Sequence, residues 1–238
     1  MIPPTLRPLV LCAMVIGVMA FGVTAAHGSE WLLAKLNGGK IESIGFLPAP
    51  IQVTPEVLVV SHSKLFGLDW LVECSAVSIV DGALQAAGAL GRLPGVISGI
   101  RAIMKGCKTR ISGVTSKACE PNAGGKEPGV IKSNLGHGEI VSENIVRLSP
   151  DTGETYATIE MGEECSIGEK IPVLGSLFVK DADNGFLQYK FEHRIEVDPI
   201  KSLLYSISKT EEHRLSILGV IRVFLEGTHK GLDFSGHS

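Results

Sequence analysis

The sequence LQYKFEHRIEV, residues 187–197, decides the fold class of this chain. Apolar or aromatic side chains and His193 occupy every second position, and polar or charged side chains occupy the positions between them. A period of two is typical of a β-strand with one buried and one solvated face. The pattern therefore predicts a strand, and it places His193 on the apolar face beside Phe191 and Ile195.

A turn signal precedes this strand. Asn-Gly is the pair that best accepts the two positive φ angles of a type I′ hairpin turn, and Asn184-Gly185 follows the apolar run 177–179. We therefore expect residues 171–197 to form a β-hairpin that turns at Asn184-Gly185. The preceding Asp-Ala-Asp also resembles the opening of a calcium loop, but Gly185 and Phe186 stand where a ligand and a glycine are required.

Similar alternation recurs along the rest of the chain. Segments 155–161 and 215–225 predict further strands, and the denser patterns at 57–60 and 70–80 are typical of central strands covered on both faces. Residues 83–106 contain several glycines and Pro94, which favour a strand, a loop and a strand over a helix, with a short helix over 84–90 as the alternative. The expected fold is all-β, an antiparallel sandwich or partly open barrel with at most one short helix.

Composition is typical of a globular protein. The chain has 238 residues, of which 45% are hydrophobic and 20% are charged, and its formal net charge is −3. A slightly acidic chain lacks the basic surface that nucleic acids require, so we expect no nucleic-acid partner.

The first residues resemble an export signal. One charge, Arg7, precedes the uncharged apolar run 9–23, and the small residues Thr24-Ala25-Ala26 follow it. The run is shorter than the roughly 20 residues that span a bilayer as a helix. We expect a signal peptide at 1–26, with cleavage after Gly28 or a retained N-terminal anchor as alternatives, and no membrane span after cleavage. Cys12 follows the bulky Leu11, which disfavours a lipoprotein site.

Four cysteines follow the predicted signal: Cys74, Cys107, Cys119 and Cys165. An even number in an exported chain predicts two disulfides, and four cysteines allow three connectivities. Sequential pairing, Cys74 with Cys107 and Cys119 with Cys165, is favoured because it would link each half of the chain to itself. A zinc site is disfavoured because no two of these cysteines have the close spacing that zinc ligands show. We expect no metal and no cofactor.

The mature chain divides into two predicted halves. We expect an N-terminal β half at 27–122 and a C-terminal β half at 130–238, within one continuous domain or two closely packed ones. Residues 123–129 are the only candidate linker, because they contain the turn signals Gly124-Gly125.

The motifs of common enzyme classes are absent from the sequence. No serine has glycines two residues away on both sides, as a nucleophile elbow requires. Gly124-Gly125-Lys126 ends in Glu127 and not in the hydroxyl residue of a phosphate loop. The histidines are scattered singly and lack the spacing of a metal hydrolase: His62, His137, His193, His213 and His229.

Two acidic pairs, Glu163-Glu164 and Glu211-Glu212, are predicted to be solvated. Adjacent acids on a strand point to opposite faces, so they cannot flank one glycosidic bond. We identify no catalytic residues. His193 deserves a test because of its apolar neighbours, and the simpler interpretation is a core histidine bonded to a neighbouring strand.

The order of these features resembles a group of uncharacterised secreted bacterial proteins. The matching features are Glu30-Trp31 after the signal, a strand at Cys74, a glycine-rich stretch, Cys107 and Cys119 close together, and a fourth cysteine. The resemblance implies an exported β-rich protein, and it carries over no catalytic residues.

We therefore expect a non-enzymatic, disulfide-stabilised β protein that binds an unknown ligand or forms part of the cell envelope. Its expected location is secreted, periplasmic or in the cell envelope, with a surface or envelope partner. The alternatives are a secreted hydrolase with a dispersed active site and a membrane-tethered protein with an uncleaved N-terminal helix. A pocket with converging acids or histidines would favour the hydrolase.

Overall fold

The computed structural model describes residues 29–37, 40–43, 49–65, 68–85, 95–185, 188–208 and 211–237. The predicted signal peptide, 1–26, and most of the alternative helix, 84–90, lie outside the described residues. The all-β prediction is confirmed: the described residues form antiparallel strands, and the only helix among them is a 3₁₀ turn, Gly227–His229. This arrangement is consistent with the expected antiparallel sandwich.

The strands are numbered in chain order. They are β1 (Glu30–Asn37), β2 (Lys40–Ser43), β3 (Ala49–Leu65), β4 (Leu68–Glu73), β5 (Ala76–Val80), β6 (Ala83–Leu84), β7 (Val96–Lys105), β8 (Lys108–Ile111), β9 (Val114–Ser116), β10 (Asn122–Ala123), β11 (Glu127–Pro128), β12 (Ile131–Lys132), β13 (Gly136–Ser142), β14 (Ile145–Pro150), β15 (Thr155–Glu160), β16 (Lys170–Asp181), β17 (Glu192–Val197), β18 (Leu203–Ser208), β19 (Glu211–Leu225) and β20 (Asp233–His237).

Eight of these strands pair in a closed circuit. β3 pairs with β6, β6 with β7, β7 with β13, β13 with β14, β14 with β16, β16 with β17, β17 with β19, and β19 returns to β3. The return pairing runs from Ser216 opposite His62 to Leu225 opposite Ile51, with two register shifts. Because β3 and β19 come from opposite ends of the chain, the two predicted halves share one sheet.

A smaller sheet, β2-β1-β20, packs on the same core. Trp31 and Leu33 of β1 and Phe234 of β20 are almost completely buried, and they belong to the core cluster of the larger sheet. Their burial fixes β20 against the rest of the molecule. The same strand also carries Asp233.

Most of the predicted strands are observed. β15 and β19 lie on segments 155–161 and 215–225, and the 83–106 segment contains β6 and β7 as a strand pair. The 70–80 segment is divided into β4 and β5, because the strand is interrupted at Cys74-Ser75. At this interruption the Ser75 amide donates to the Lys105 carbonyl. The pattern therefore predicted strands correctly. It predicted neither the interruption nor the burial, because β4 is fully buried only at alternate positions and β5 is half-buried throughout.

The hairpin prediction is correct for the pairing and wrong for the turn. β16 and β17 pair antiparallel, with Asp181 opposite Ile195. However, β17 begins only at Glu192, so a long connection replaces the two-residue turn, and Phe191 is exposed. Gly185 has a positive φ of 103° but Asn184 does not, whereas a type I′ turn requires a positive φ at both. The Asn184 side chain is bonded to β20.

Both disulfides have the favoured connectivity. Cys74 is bonded to Cys107 and Cys119 to Cys165, which confirms the sequential pairing. The first bridge joins the end of β4 to the start of β8, which pair in the sheet. The expectation that each bridge stays within one half is wrong for the second bridge. It joins the two predicted halves, since Cys119 precedes residue 122 and Cys165 lies between β15 and β16.

The predicted linker at 123–129 contains ordered strand structure. Asn122 and Ala123 of β10 pair with Pro128 and Glu127 of β11, and the intervening residues form a tight turn. The Gly124 amide donates to the Glu160 carboxylate of β15, which fixes the turn to the C-terminal half. Two positive φ angles, at Gly124 and Gly125, explain the glycines that suggested a linker.

Candidate functional site

His193 of β17 lies in the protein interior between two carboxylates. Its Nδ1 is 2.8 Å from Asp181 Oδ2, and its Nε2 is 2.8 Å from Asp233 Oδ1. The imidazole is inaccessible to solvent, and both carboxylates are buried with it. The three residues, which we call the histidine cage, connect β16, β17 and β20.

The outer carboxylate oxygens of the cage are also hydrogen bonded. Asp181 Oδ1 accepts from the Asp183 amide at 2.9 Å, and Asp233 Oδ2 accepts from the Lys190 amide at 2.9 Å. Buried polar groups are costly when they lack partners, and here each ring nitrogen and each carboxylate oxygen has one. The connection between β16 and β17 supplies both amides, and it is long enough for one amide to reach Asp181 and the other to reach Asp233.

The electrostatics of the cage favour a charged histidine. Burial disfavours the imidazolium, but hydrogen bonds and charge attraction from Asp181 and Asp233 outweigh burial and raise the pKa of His193 to about 9. With both nitrogens protonated, the ring donates to a carboxylate on each side. His193 is therefore an imidazolium at neutral pH.

Aromatic rings close the cage on one side. The imidazole stacks on Phe234 with ring centroids 3.9 Å apart and an interplanar angle of 21°. Phe234 in turn contacts Trp31 edge-on, with centroids 6.0 Å apart. A cation above an aromatic face is stabilised by the ring quadrupole, so Phe234 adds to the stability of the charged form.

The cage geometry favours a structural role for His193. A general base needs a free ring nitrogen within reach of a substrate, and both nitrogens of His193 are engaged in a solvent-free position. The interpretation as a core histidine bonded to neighbouring strands fits these contacts. The sequence pattern located His193, but it gave no signal for Asp233, and it assigned Asp181 to a turn.

The loop before β17 is fastened to β20 by further polar contacts. The Asn184 side chain donates to the Gly236 carbonyl at 2.9 Å and accepts from the Gly236 amide at 2.7 Å. The Tyr189 hydroxyl donates to the Gly231 carbonyl, and Lys190 forms an ion pair with Asp183. The conformation of this loop is therefore stabilised by hydrogen bonds and an ion pair of its polar side chains, and not by a tight turn.

A cavity lined by apolar side chains lies in the interior of the sheet. Its volume is about 110 Å³, and eight strands contribute to its wall: β5, β7, β12, β14, β15, β16, β17 and β19. Tyr156 of β15 is the only residue in this wall with a polar side chain. Burial raises the pKa of Tyr156 to about 12, so the phenol is neutral at physiological pH.

A second cavity, of about 70 Å³, lies next to the first. The two have five wall residues in common: Ile79, Leu148, Val179, Ile195 and Ile221. The wall of the smaller cavity also includes Trp31, Asp181 and Phe234, so this cavity reaches the histidine cage. We call the two together the interior cavity. This cavity was not predictable from the sequence, because aliphatic residues around a void form the same pattern as aliphatic residues in a packed core.

The other sequence candidates lie elsewhere and do not converge with His193. His137 pairs with Asp151 at 2.9 Å on the surface of β13, and Glu163 and Glu164 are exposed beside Cys165. Glu212 is exposed at the start of β19. Within the described residues, no group of three His, Cys, Asp or Glu side chains is placed to hold a metal ion.

The described part of the chain contains no helix long and apolar enough to cross a membrane. Comparison with known protein families, with characterised proteins and with solved structures gives no match to this chain.

Proposed function

We propose that this chain is an exported protein, stabilised by two disulfides, that binds a small apolar molecule in the interior cavity without catalysing a reaction. The observation that carries the proposal is the cavity itself, whose larger part is lined by aliphatic side chains and Tyr156. Interiors are normally packed as densely as organic crystals, so empty apolar space of this size requires an explanation. Apolar cavities of about 150 Å³ stay dry and accept molecules the size of benzene.

The disulfides support export to the periplasm, the cell envelope or the outside. Disulfides persist in oxidising compartments, and this chain forms two of them after an N-terminal segment with the layout of an export signal. The histidine cage supports a non-catalytic role, because it leaves His193 without a free ring nitrogen. An envelope or surface protein would be the source or the recipient of the apolar molecule.

A cavity-filling variant tests the proposal. Ala157 is buried in the wall of the larger cavity, so Ala157→Leu should occupy the space that a ligand needs. Calorimetric titration of the oxidised protein with ethylbenzene and with octane should show saturable binding, and either ligand should raise the melting temperature. Ala157→Leu should abolish both effects while remaining folded.

Ala118→Leu is the matched control, because the same change is made at an exposed position outside both cavities. This control should bind like the wild type. The proposal is wrong if the wild type binds neither ligand, or if Ala157→Leu binds both with unchanged affinity.

A further inference from the structure

Asn184-Gly185 is a pair of residues with a covalent reactivity of its own. The backbone nitrogen that follows an asparagine can attack the side-chain amide carbon, and glycine hinders this attack least because it has no side chain. The attack forms a cyclic succinimide and releases ammonia, and water then opens the ring to aspartate or isoaspartate. The sequence contains the pair twice, at Asn37-Gly38 and at Asn184-Gly185. Gly38 lies outside the described residues.

The Asn184 side chain is held in place mainly by β20. Its Nδ2 donates to the Gly236 carbonyl at 2.9 Å and to the Glu143 carbonyl. Its Oδ1 accepts from the Gly236 amide at 2.7 Å and from the Ser235 hydroxyl at 3.2 Å. The side-chain amide cannot turn towards the Gly185 nitrogen without breaking these bonds. While β20 is in place, the reaction is therefore blocked.

The strand β20 is able to detach without disruption of the large sheet. Its strand partner is β1, and within the described residues no strand pairing joins the small sheet to the large one. The apolar anchor of β20 is Phe234, which is only 2% exposed. Local opening costs less free energy than global unfolding, because fewer contacts are lost. Detachment of β20 is therefore the least costly motion that frees the Asn184 side chain.

We propose that Asn184 is a conditional deamidation site, which reacts only in molecules whose β20 has detached and whose product hinders the return of the strand. A bond forms between Gly185 N and Asn184 Cγ, the bond from Cγ to Nδ2 breaks, and Nδ2 leaves as ammonia with the proton of the Gly185 amide. Water then hydrolyses the succinimide. The product has a carboxylate at residue 184, which has no N–H to donate, so the carbonyls of Gly236 and Glu143 lose their donor. The site is independent of the interior cavity.

Peptide mapping by mass spectrometry measures the deamidation rate of Asn184 separately from that of Asn37. At neutral pH, Asn184 should react at least about tenfold more slowly in the folded, oxidised protein than in urea-unfolded protein, because only the open fraction reacts. Phe234→Leu weakens the anchor of β20 and should accelerate the reaction in the folded protein by about three- to tenfold. Equal rates in the folded and the unfolded protein would overturn the proposal.

Ile159→Val is the matched control, because it also removes buried carbon atoms but lies in β15, outside the small sheet. This control should change the rate by less than about twofold. If both variants lose the same stability and accelerate deamidation equally, the reaction requires global unfolding and the proposal is wrong.

A measurement on the wild-type protein covers the case in which Phe234→Leu does not fold. In urea below the unfolding midpoint, the deamidation rate of Asn184 should follow the hydrogen exchange of the β20 amides. A rate that follows the slowest amides of the large sheet instead would overturn the proposal.

Asn184→Asp reproduces the aspartate product and tests its effect on β20. Hydrogen exchange of the β20 amides should be faster in this variant by about three- to tenfold, because hydrogen bonds that hold the strand are lost. The control is Asn134→Asp, the same change at a side chain that donates to the Thr155 carbonyl at 2.8 Å. This control should leave the exchange of β20 unchanged. Equal exchange of β20 in Asn184→Asp and the wild type would show that the product does not hinder the strand, and the proposal would fail.

Discussion

His193 Nε2 lies 2.8 Å from Asp233 Oδ1, although 40 residues separate the two in sequence. This hydrogen bond joins β17 of the large sheet to β20 of the small sheet. Both atoms are inaccessible to solvent, so water cannot take the place of either partner when the other is lost. Removing this hydrogen bond by substitution therefore tests directly whether the histidine cage stabilises the fold.

Asp233→Asn should destabilise the protein by about 2–3 kcal/mol, the range for a buried hydrogen bond to a charged group. The control is Asp151→Asn, which alters a half-exposed Asp–His pair with a similar distance, 2.9 Å, and should cost less than about 1 kcal/mol. Urea unfolding of both variants measures the difference. Equal losses would show that burial does not strengthen the cage.

Stability should decrease in mildly alkaline solution. The pKa of His193 is raised in the folded state to about 9, above its ordinary value of 6.5, so the cage contributes fully below pH 6.5 and loses its contribution as the pH rises to about 9. The decrease should be about 3 kcal/mol, because each pKa unit corresponds to 1.36 kcal/mol. Denaturant unfolding across this range measures it.

His193→Gln is the reference for that pH series. Glutamine does not titrate, so the variant should be less stable below pH 7 and should show a flatter pH dependence above it. An identical alkaline decrease in the variant and the wild type would assign the effect to other groups.

Asn184→Gly distinguishes the observed loop from a tight turn. A type I′ turn would accept glycine at this position without loss. In the structure the Asn184 side chain makes two hydrogen bonds to the Gly236 backbone, at 2.9 and 2.7 Å, so we expect a loss of about 1–2 kcal/mol. The Gly236 amide should also exchange faster with deuterium. Unchanged stability and unchanged exchange would contradict this role of the Asn184 side chain and would favour the two-residue turn at Asn184-Gly185.

Mass spectrometry and thiol titration test export together with oxidation. Removal of residues 1–26 also removes Cys12, and the other four cysteines are paired, so the exported protein should contain no free thiol. Its mass should be lower than that of the reduced mature chain by about four hydrogens, two for each disulfide. One free thiol per molecule would indicate that the N-terminal segment is retained.

The strands were predictable because alternation is local. The segment around His193 shows which face of β17 is buried, and the structure confirms that burial for His193 while placing Phe191 outside the strand. The partners of His193 were not predictable, because nothing near Asp233 in sequence marks it as a ligand of a residue 40 positions away. The Asn184-Gly185 signal misled because a side-chain amide can bond to a distant strand as well as shape a turn.

Because β20 is the last strand of the chain, its pairing with β1 can form only after all the other strands have been synthesised. Asp233 and Phe234 leave the ribosome after every other residue of the histidine cage and of the cavity wall. Until they arrive, His193 has one carboxylate instead of two, and the smaller cavity lacks one of its aromatic walls. In a truncated chain that ends before residue 233, β1 therefore lacks its pairing partner and Phe234 no longer covers the core, so we expect the interior of such a chain to be accessible to water.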